Sequence, residues 1–303
     1  MEYRPLGRTG MLVSPLCLGN MMFGVWGNPD HDDCVRIVHE ALDYGINFVD
    51  TADVYSAGES EIITGKALKG ARRDSVILAT KCHFPIDAGP FSNDRTPNTW
   101  GNSRRHIVKA CDDSLRRLGT DWIDLYQLHR PDPNVPIDES LSALNDLVHQ
   151  GKIRAFGCST FPAEHLVQAA WVADKNNFIP FSTEQPPYSI FVRWIERDLL
   201  PTCKRLGMGT LVWSPLNGGW LSGTYRSGAG QRTEGRAART PARYDLSDPA
   251  NAKKMELVEE LVFIADEIGV PLPHLALAWV LHHPAVTSAI IGPRVMHHLT
   301  SPF

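Results

Sequence analysis

The chain has 303 residues, a formal net charge of −4 and a hydrophobic fraction of 43%, values typical of a globular protein. Its mild acidity, without a run of lysine or arginine, argues against nucleic acid or an anionic membrane as a partner. No stretch approaches the ~18–20 apolar residues of a membrane helix, and the amino terminus lacks a signal-peptide pattern, so we expect a cytoplasmic protein. The six cysteines form no C-x-x-C pair, and neither a metal site nor a disulfide framework is predicted.

Short apolar runs recur along the chain, and most intervals between them leave room for one helix and two turns. Such short, continuously apolar runs are typical of parallel strands that are buried on both faces. The predicted strands are residues 16–18, 46–49, 76–79, 123–126, 153–156, 179–182, 210–213 and 289–291.

The segments between these strands have the period of a helix. Ile107, Cys111, Leu115 and Leu118, for example, fall on one helical face, and Asp30 is predicted to cap the first helix. Six segments end at a glycine, which can adopt the left-handed conformation that closes a helix. These glycines are Gly45, Gly70, Gly119, Gly151, Gly207 and Gly269.

Eight buried strands that alternate with helices leave two architectures, a closed (βα)8 barrel or an open doubly wound sheet. An open sheet that binds a dinucleotide usually carries G-x-G-x-x-G after its first strand. The two G-x-G sequences here have Val212 and Thr233 in place of the last glycine. We therefore predict an α/β fold, a single (βα)8 TIM-barrel domain over residues 1–303.

Three further features of this barrel are predicted from the pattern. Residues 2–15 are expected to form a hairpin that plugs the bottom of the barrel. Residues 216–249 are expected to form a long, mobile loop after strand seven. The eighth helix has only residues 295–299, so apolar surface on strand eight and its neighbouring helices should be exposed unless another subunit, in a homo-oligomer, covers it or the natural chain is longer.

Four ionisable residues are predicted to meet at one end of the barrel. Asp50, Lys81 and His129 lie at the ends of strands two, three and four, and Tyr55 follows strand two. The active site of a (βα)8 barrel lies at the carboxyl ends of its strands. A single such residue would more often be a cap or a surface charge, but their joint occurrence on three adjacent strands favours an active site.

These residues stand in sequences that resemble the aldo-keto reductase superfamily. Residues 45–55, GINFVDTADVY, look like the signature of that family. The similarity continues in order over nearly the whole chain, through ATK at 79–81, DLYQLHRPD at 124–132, GKIRAFG at 151–157, EQPPY at 184–188 and WSPL at 213–216.

The resemblance implies a reduction in which hydride comes from NADPH and the proton comes from Tyr55. Lys81 would lower the pKa of Tyr55, and Asp50 would hold and orient Lys81. His129, in its neutral form, would hydrogen-bond the substrate oxygen. NADPH is preferred over NADH here mainly because of Arg294.

The same resemblance implies where the cofactor and the substrate bind. Ser159 and Gln185 would bind the nicotinamide carboxamide, and Trp213 would stack on the ring. The other implied cofactor residues are Gly19 and Asn20 below the nicotinamide, Ser214, Leu216, Gly218 and Arg236 along the pyrophosphate and adenosine, and Gly292 and Arg294 on the far side. Trp26, Phe84 and Trp220 are candidates for the wall of an apolar substrate pocket.

Three functions remain open at this point. The first is an NADPH-dependent reductase of an aldehyde or ketone, for which a xenobiotic carbonyl or a keto-sugar is a candidate substrate. The second is an NADPH-binding regulatory subunit with little or no turnover, like the voltage-gated potassium-channel β subunits. Those subunits typically carry asparagine at the position of His129, so the histidine favours the reductase. The third is a barrel that binds no nucleotide, which Ser159, Gln185 and Trp213 together disfavour.

Overall fold

Eight parallel strands close into a barrel in the computed structural model, which describes residues 1–87, 89, 96–226, 237 and 240–300. The hairpin of β1 (Arg4–Pro5) and β2 (Leu12–Val13) precedes the barrel. Each barrel strand pairs with the next along the chain, and the last pairs with the first, so the predicted TIM barrel and hairpin are confirmed. The barrel strands are β3 (Leu16–Gly19), β4 (Phe48–Asp50), β5 (Ile77–Cys82), β6 (Ile123–Leu128), β7 (Ile153–Ser159), β8 (Thr183–Gln185), β9 (Gly209–Val212) and β10 (Ser288–Ile291).

Helices surround this barrel and begin and end where local sequence signals allow. The Asp30 side chain accepts hydrogen bonds from the backbone N–H groups of Asp32 and Asp33, which confirms the predicted cap. All six predicted glycines have positive φ, and Gly119 and Gly207 directly close helices. The α-helices of the described residues are α1 (His31–Asp43), α2 (Glu59–Ala67), α3 (Arg104–Leu118), α4 (Ile137–His149), α5 (Ala163–Asn176), α6 (Leu199–Leu206), α7 (Pro249–Glu267), α8 (Leu272–His282) and α9 (Met296–Thr300). No single described helix is long and apolar enough to cross a membrane, although the bent pair of α7 and α8 passes that test by length and composition.

The hairpin fills one end of the barrel. Leu6 and Val13 are fully buried and pack with Phe48, Leu125 and Leu211, whose side chains point into the barrel from three strands. This apolar layer closes the end at which the strands begin. Polar side chains inside the barrel therefore gather at the opposite end, where the strands finish.

The predicted sixth strand was misplaced. Residues 179–182 lead into β8 rather than form it, because Pro180 has no N–H for a ladder and Ile179 is exposed. The strand itself is the polar sequence Thr-Glu-Gln, so a search for apolar runs passes over it. This correction matters because β8 ends at Gln185.

The carboxyl-terminal region agrees with the prediction only in part. The last helix is short, as expected, but Ala289 and Ile291 of β10 are buried, so the strand itself does not expose them. Exposed apolar side chains are found instead on α7 and just after it, at Phe263, Ile264 and Ile268, as expected for the neighbouring helices. The central part of the predicted mobile loop, residues 227–236 and 238–239, lies outside the described residues.

Candidate active site

A buried ion pair forms the centre of the open end of the barrel. Lys81 is fully buried, and its Nζ lies 2.6 Å from Oδ2 of Asp50. The same ammonium donates to the backbone oxygen of Thr51 at 2.7 Å and to the hydroxyl of Tyr55 at 3.3 Å. Each of the three N–H donors of the Lys81 ammonium thus has an acceptor, and one of these acceptors is the Tyr55 hydroxyl.

Strand periodicity places these side chains. Asp50 lies two residues after Phe48, and Lys81 two residues after Ala79; both apolar residues point into the barrel, and side chains repeat every two residues along a strand. Adjacent strands in register then bring the carboxylate beside the ammonium. Tyr55 lies in the short helical turn Tyr55–Gly58, which follows β4 and returns the phenol over the lysine.

Charge and burial set the protonation of this cluster. Burial alone would lower the pKa of Lys81, but the Asp50 carboxylate and the Tyr55 oxygen raise it above its usual value, so the ammonium stays charged. Burial raises the pKa of Tyr55, and nearby Lys81 offsets this only in part. The predicted lowering by Lys81 is present, but burial outweighs it and the net pKa of Tyr55 is raised. The phenol therefore holds its proton at neutral pH.

His129 faces Tyr55 across the pocket. Their ring centroids are 5.8 Å apart, and the imidazole Nδ1 is buried with no hydrogen-bond partner in the part of the chain that the structure describes. Burial, followed by the charge of Lys81, lowers the pKa of His129 well below its usual value, so the ring is neutral. The pocket thus brings together a protonated phenol and a neutral imidazole.

Aromatic rings surround these polar groups. Phe84 packs against His129 with centroids 5.0 Å apart, and Trp26 lies 6.0 Å from Tyr55, so both are placed where the substrate-pocket prediction puts them. Trp220 does not line this pocket, because it is fully buried and stacks with Tyr225 and Tyr244 in a separate hydrophobic cluster. A side chain enclosed in this way belongs to the core, which corrects that prediction.

The two predicted carboxamide-binding residues lie beside the ion pair. Gln185 donates through Nε2 to Oδ1 of Asp50 at 2.9 Å, and the hydroxyl of Ser159 donates to the backbone oxygen of Gln185 at 2.8 Å. The amide oxygen of Gln185 remains free of hydrogen bonds within the described residues and can accept from an amide N–H. Oδ1 of Asn20 is buried and likewise has no partner among them. These acceptors fit a carboxamide, and half-exposed Trp213 directly follows the neighbouring strand β9.

The other predicted cofactor residues follow the last two strands. Ser214, Leu216 and Gly218 come after β9, and Gly292 and Arg294 come after β10, which pairs with it. Gly19 is required for packing, because a Cβ there would lie 2.5 Å from the side chain of Ile290. Arg236 lies outside the described residues.

Four residues beyond those predicted contribute to the site. Gln127 is buried below His129 with its Nε2 3.4 Å from Asp50, and the alternation of Leu125, Gln127 and His129 along β6 could have revealed it. Arg130 directly follows His129. Two more are Arg243, whose guanidinium lies 3.1 Å from a Cβ built on Gly218, and Glu184.

Glu184 lies on the outer face of β8, behind the carboxamide-binding pair. Its Oε2 accepts from the thiol of Cys158 at 3.0 Å, and its Oε1 accepts from the backbone N–H of Phe161 at 3.1 Å. Burial raises the pKa of Glu184 to about 7. Because Cys158 and Glu184 directly precede Ser159 and Gln185, this contact fixes the two strand ends relative to each other.

The fold and this site define a (βα)8 barrel whose polar pocket holds a phenol, a lysine–aspartate ion pair and a neutral imidazole at the ends of its strands. The model of the aldo/keto reductase family matches residues 15–302. The chain is 42% identical to YrpG, an oxidoreductase of Bacillus subtilis (strain 168), over 99% of this chain and 89% of that protein.

Two further relatives carry different names. A protein of Schizosaccharomyces pombe, named as a voltage-gated potassium channel subunit beta, is 36% identical over 96% of this chain and 84% of its own length. The versiconal hemiacetal acetate reductase of Aspergillus parasiticus is 36% identical over 94% of this chain and 87% of its own length. The chain therefore belongs to the aldo/keto reductase family, whose chemistry is carbonyl reduction with a nicotinamide cofactor.

Proposed function

We propose that this protein reduces an aldehyde or ketone to the alcohol with NADPH, and that Tyr55 is the proton donor. The observation that carries the proposal is the buried Lys81–Asp50 pair, whose ammonium lies 3.3 Å from the phenol oxygen. A phenol beside a fixed ammonium can give up its proton and remain stabilised as phenolate.

Each residue of the cluster has a separate task in this reaction. NADPH, when bound, supplies the hydride to the carbonyl carbon. Tyr55 transfers its proton to the carbonyl oxygen, and Lys81 stabilises the phenolate that remains. Asp50 keeps Lys81 charged and in place, while His129 hydrogen-bonds the carbonyl oxygen and sets its orientation.

NADPH is the cofactor that the surrounding residues support best. Gln185 and Ser159 would hold the carboxamide, and Trp213 would stack on the nicotinamide ring. Arg294 follows β10 on the far side, where it would meet the 2′-phosphate. Arg243, whose guanidinium lies 3.1 Å from a Cβ built on Gly218, is a further candidate to meet the pyrophosphate.

A second function is favoured by the relatives named as channel subunits. In this alternative the barrel binds NADPH and regulates a partner protein with little or no turnover. His129 argues for the reductase, because its neutral imidazole lies with its ring centroid 5.8 Å from that of Tyr55, the proposed proton donor.

The experiment that tests the proposal follows the loss of nicotinamide absorbance when the protein, NADPH and a panel of aldehydes and ketones are mixed. Turnover in the unaltered protein that is lost in Tyr55→Phe supports the reductase. Tight NADPH binding without turnover of any carbonyl supports the regulatory alternative. Equal turnover with NADH would contradict the NADPH preference.

The location and assembly of the protein remain predictions. We propose a cytoplasmic enzyme whose partner is a small-molecule carbonyl compound, with neither nucleic acid nor membrane as a ligand. A homo-oligomer in which a second subunit covers apolar surface is checked by sedimentation velocity, in which a monomer at micromolar concentration would contradict it.

A further inference from the structure

Arg130 holds an unusual position beside the catalytic histidine. Its Nη1 donates to the backbone oxygen of His129 at 2.6 Å, and its guanidinium carbon lies 5.6 Å from the ring centroid of Phe84. Phe84 in turn packs on the imidazole. The guanidinium is therefore part of the pocket wall, one residue away from the group that is expected to contact the carbonyl oxygen.

This guanidinium has no counter-ion within the described residues. Arg73 and Arg117 each have one: Arg73 lies 2.7 Å from Asp124, and Arg117 lies 2.6 Å from Glu61. Arg130 is half-buried, yet no described carboxylate comes within 4.0 Å of it, and one of its five N–H donors has a partner among the described residues. Burial lowers the pKa of Arg130, which reflects the cost of keeping this charge out of water.

A ligand that brings a negative charge would remove that cost. A guanidinium is planar and presents two parallel N–H groups that match the two oxygens of a carboxylate. The rings of Trp26, Tyr55 and Phe84 supply apolar walls along the same pocket. The pocket thus offers hydrogen-bond partners for a carbonyl oxygen, an apolar passage and a cationic group.

We propose that Arg130 selects carbonyl substrates that also carry a carboxylate. The inference rests on the proposed reductase function and adds the class of substrate to it. The aldehyde or ketone oxygen lies between Tyr55 and His129, and the carboxylate pairs with Arg130. Only the carbonyl is reduced; it gains the hydride and the proton, and the carboxylate leaves unchanged on the product.

The test compares 4-carboxybenzaldehyde with benzaldehyde, which differ only in the carboxylate. For the unaltered protein we expect kcat/KM to be about tenfold to a hundredfold higher for the carboxylated aldehyde, the scale of a charge-assisted hydrogen-bonded pair. In Arg130→Met this ratio should fall to near one, and Arg130→Lys should restore part of it. Arg205→Met, which removes an exposed arginine on α6, is the matched control and should keep the full ratio.

A second measurement needs no variant. An aldehyde with a trimethylammonium group in place of the carboxylate should have the lowest kcat/KM of the three substrates. Added salt should bring the three kcat/KM values closer together. A ratio near one in the unaltered protein, or an unchanged ratio in Arg130→Met, overturns the inference while leaving the reductase in place. Loss of NADPH binding in Arg130→Met would assign the arginine to the cofactor and also overturn it. If benzaldehyde and its carboxylated form are both left unreduced, the proposed function itself fails.

Discussion

The two halves of the barrel mouth are built in different ways. On the first half, Asp50 and Lys81 lie on strands, are buried and are joined by a 2.6 Å contact. On the second half, Ser214, Leu216 and Gly218 are half-buried and follow β9, where Ser214 and Asn217 have positive φ. Strands hold the ion pair that supports the proton donor, whereas the segments after β9 and β10 hold the residues that would bind the pyrophosphate and adenosine of the cofactor. Substitutions on the first half should therefore affect kcat, and those on the second half should affect binding.

The largest effect is expected at the proton donor. Tyr55→Phe removes the hydroxyl 3.3 Å from Lys81 and should lower kcat by at least ~10²-fold, the usual scale for the loss of a general acid. NADPH affinity, measured by fluorescence titration, should change little, because Tyr55 is not among the residues that would bind the cofactor. Tyr44→Phe on the exposed surface after α1 is the control. Turnover close to that of the unaltered protein would show that Tyr55 is not the acid.

Lys81→Met should have an effect of the same kind and somewhat smaller size. Without the ammonium, Asp50 remains as an uncompensated buried carboxylate, and the phenolate of Tyr55 loses its stabilising charge. We expect a loss in kcat of about 10²-fold together with a lower unfolding midpoint in urea. Because stability and activity both change, Asp50→Asn with Lys81→Met in one chain should recover stability without recovering activity. Recovered activity in that double variant would contradict the role of Lys81.

The cofactor half is tested by Trp213→Ala. Removal of the indole should raise the dissociation constant of NADPH about tenfold, since an aromatic stack contributes roughly 0.5–1.5 kcal/mol beyond its buried area. Activity at saturating NADPH should be much less affected than in the first two variants. Trp171→Ala, which removes an exposed indole on α5, should leave the affinity unchanged. If the dissociation constant of NADPH is the same in Trp213→Ala as in Trp171→Ala, Trp213 belongs among the structural residues.

An effect on folding stability, with the least effect on activity, is expected at Glu184, behind the boundary between the two halves. Its pKa is about 7 in the folded chain and near 4.5 when unfolded, so between these values the unfolded chain loses a proton that the folded chain retains. Folding stability should then fall as pH rises from 4.5 to 7, by up to about 1.4 kcal/mol per pH unit from this group.

Glu184→Gln should remove that part of the pH dependence. Urea unfolding of both chains between pH 5 and 8 should show a stability difference that shifts in favour of the variant as pH rises. Glu164→Gln, at an exposed position on α5, should show no such trend. If the stability difference between the two chains stays constant from pH 5 to pH 8, Glu184 does not titrate in this range.

The strand half was predictable from the sequence because it follows from simple periodicity. Once β4, β5 and β6 are recognised, the positions of Asp50, Lys81 and His129 at their ends follow from the two-residue repeat. The same repeat would have found Gln127. The direction of the Tyr55 pKa was not predictable, because the competition between burial and Lys81 depends on how deeply the phenol lies.

The loop half was less predictable because its contacts depend on the path of the backbone. Trp220 lies next to two glycines and looks the same in the sequence whether it lines a pocket or stacks on Tyr225 and Tyr244. Arg243 and Gly218 are 25 positions apart, so the approach of this guanidinium to Gly218 is not visible in the sequence. The unpaired charge of Arg130 is also invisible in a sequence, since a counter-ion could have come from any loop.

The pairing of β3 with β10 has a consequence for how the protein is made. The hydroxyl of Ser288 donates to the backbone oxygen of Ser14 across 274 residues of chain, and Ala289 is in register with Leu16. Closing so long a segment is slow, because the entropy of the loop is lost before the contact forms. On the ribosome, the Lys81–Asp50 pair is synthesised long before the ring that shields it can close. The nascent chain therefore exposes the apolar edge of β3 until residues 288–291 emerge, and an unpaired strand edge of this kind is prone to aggregate during synthesis.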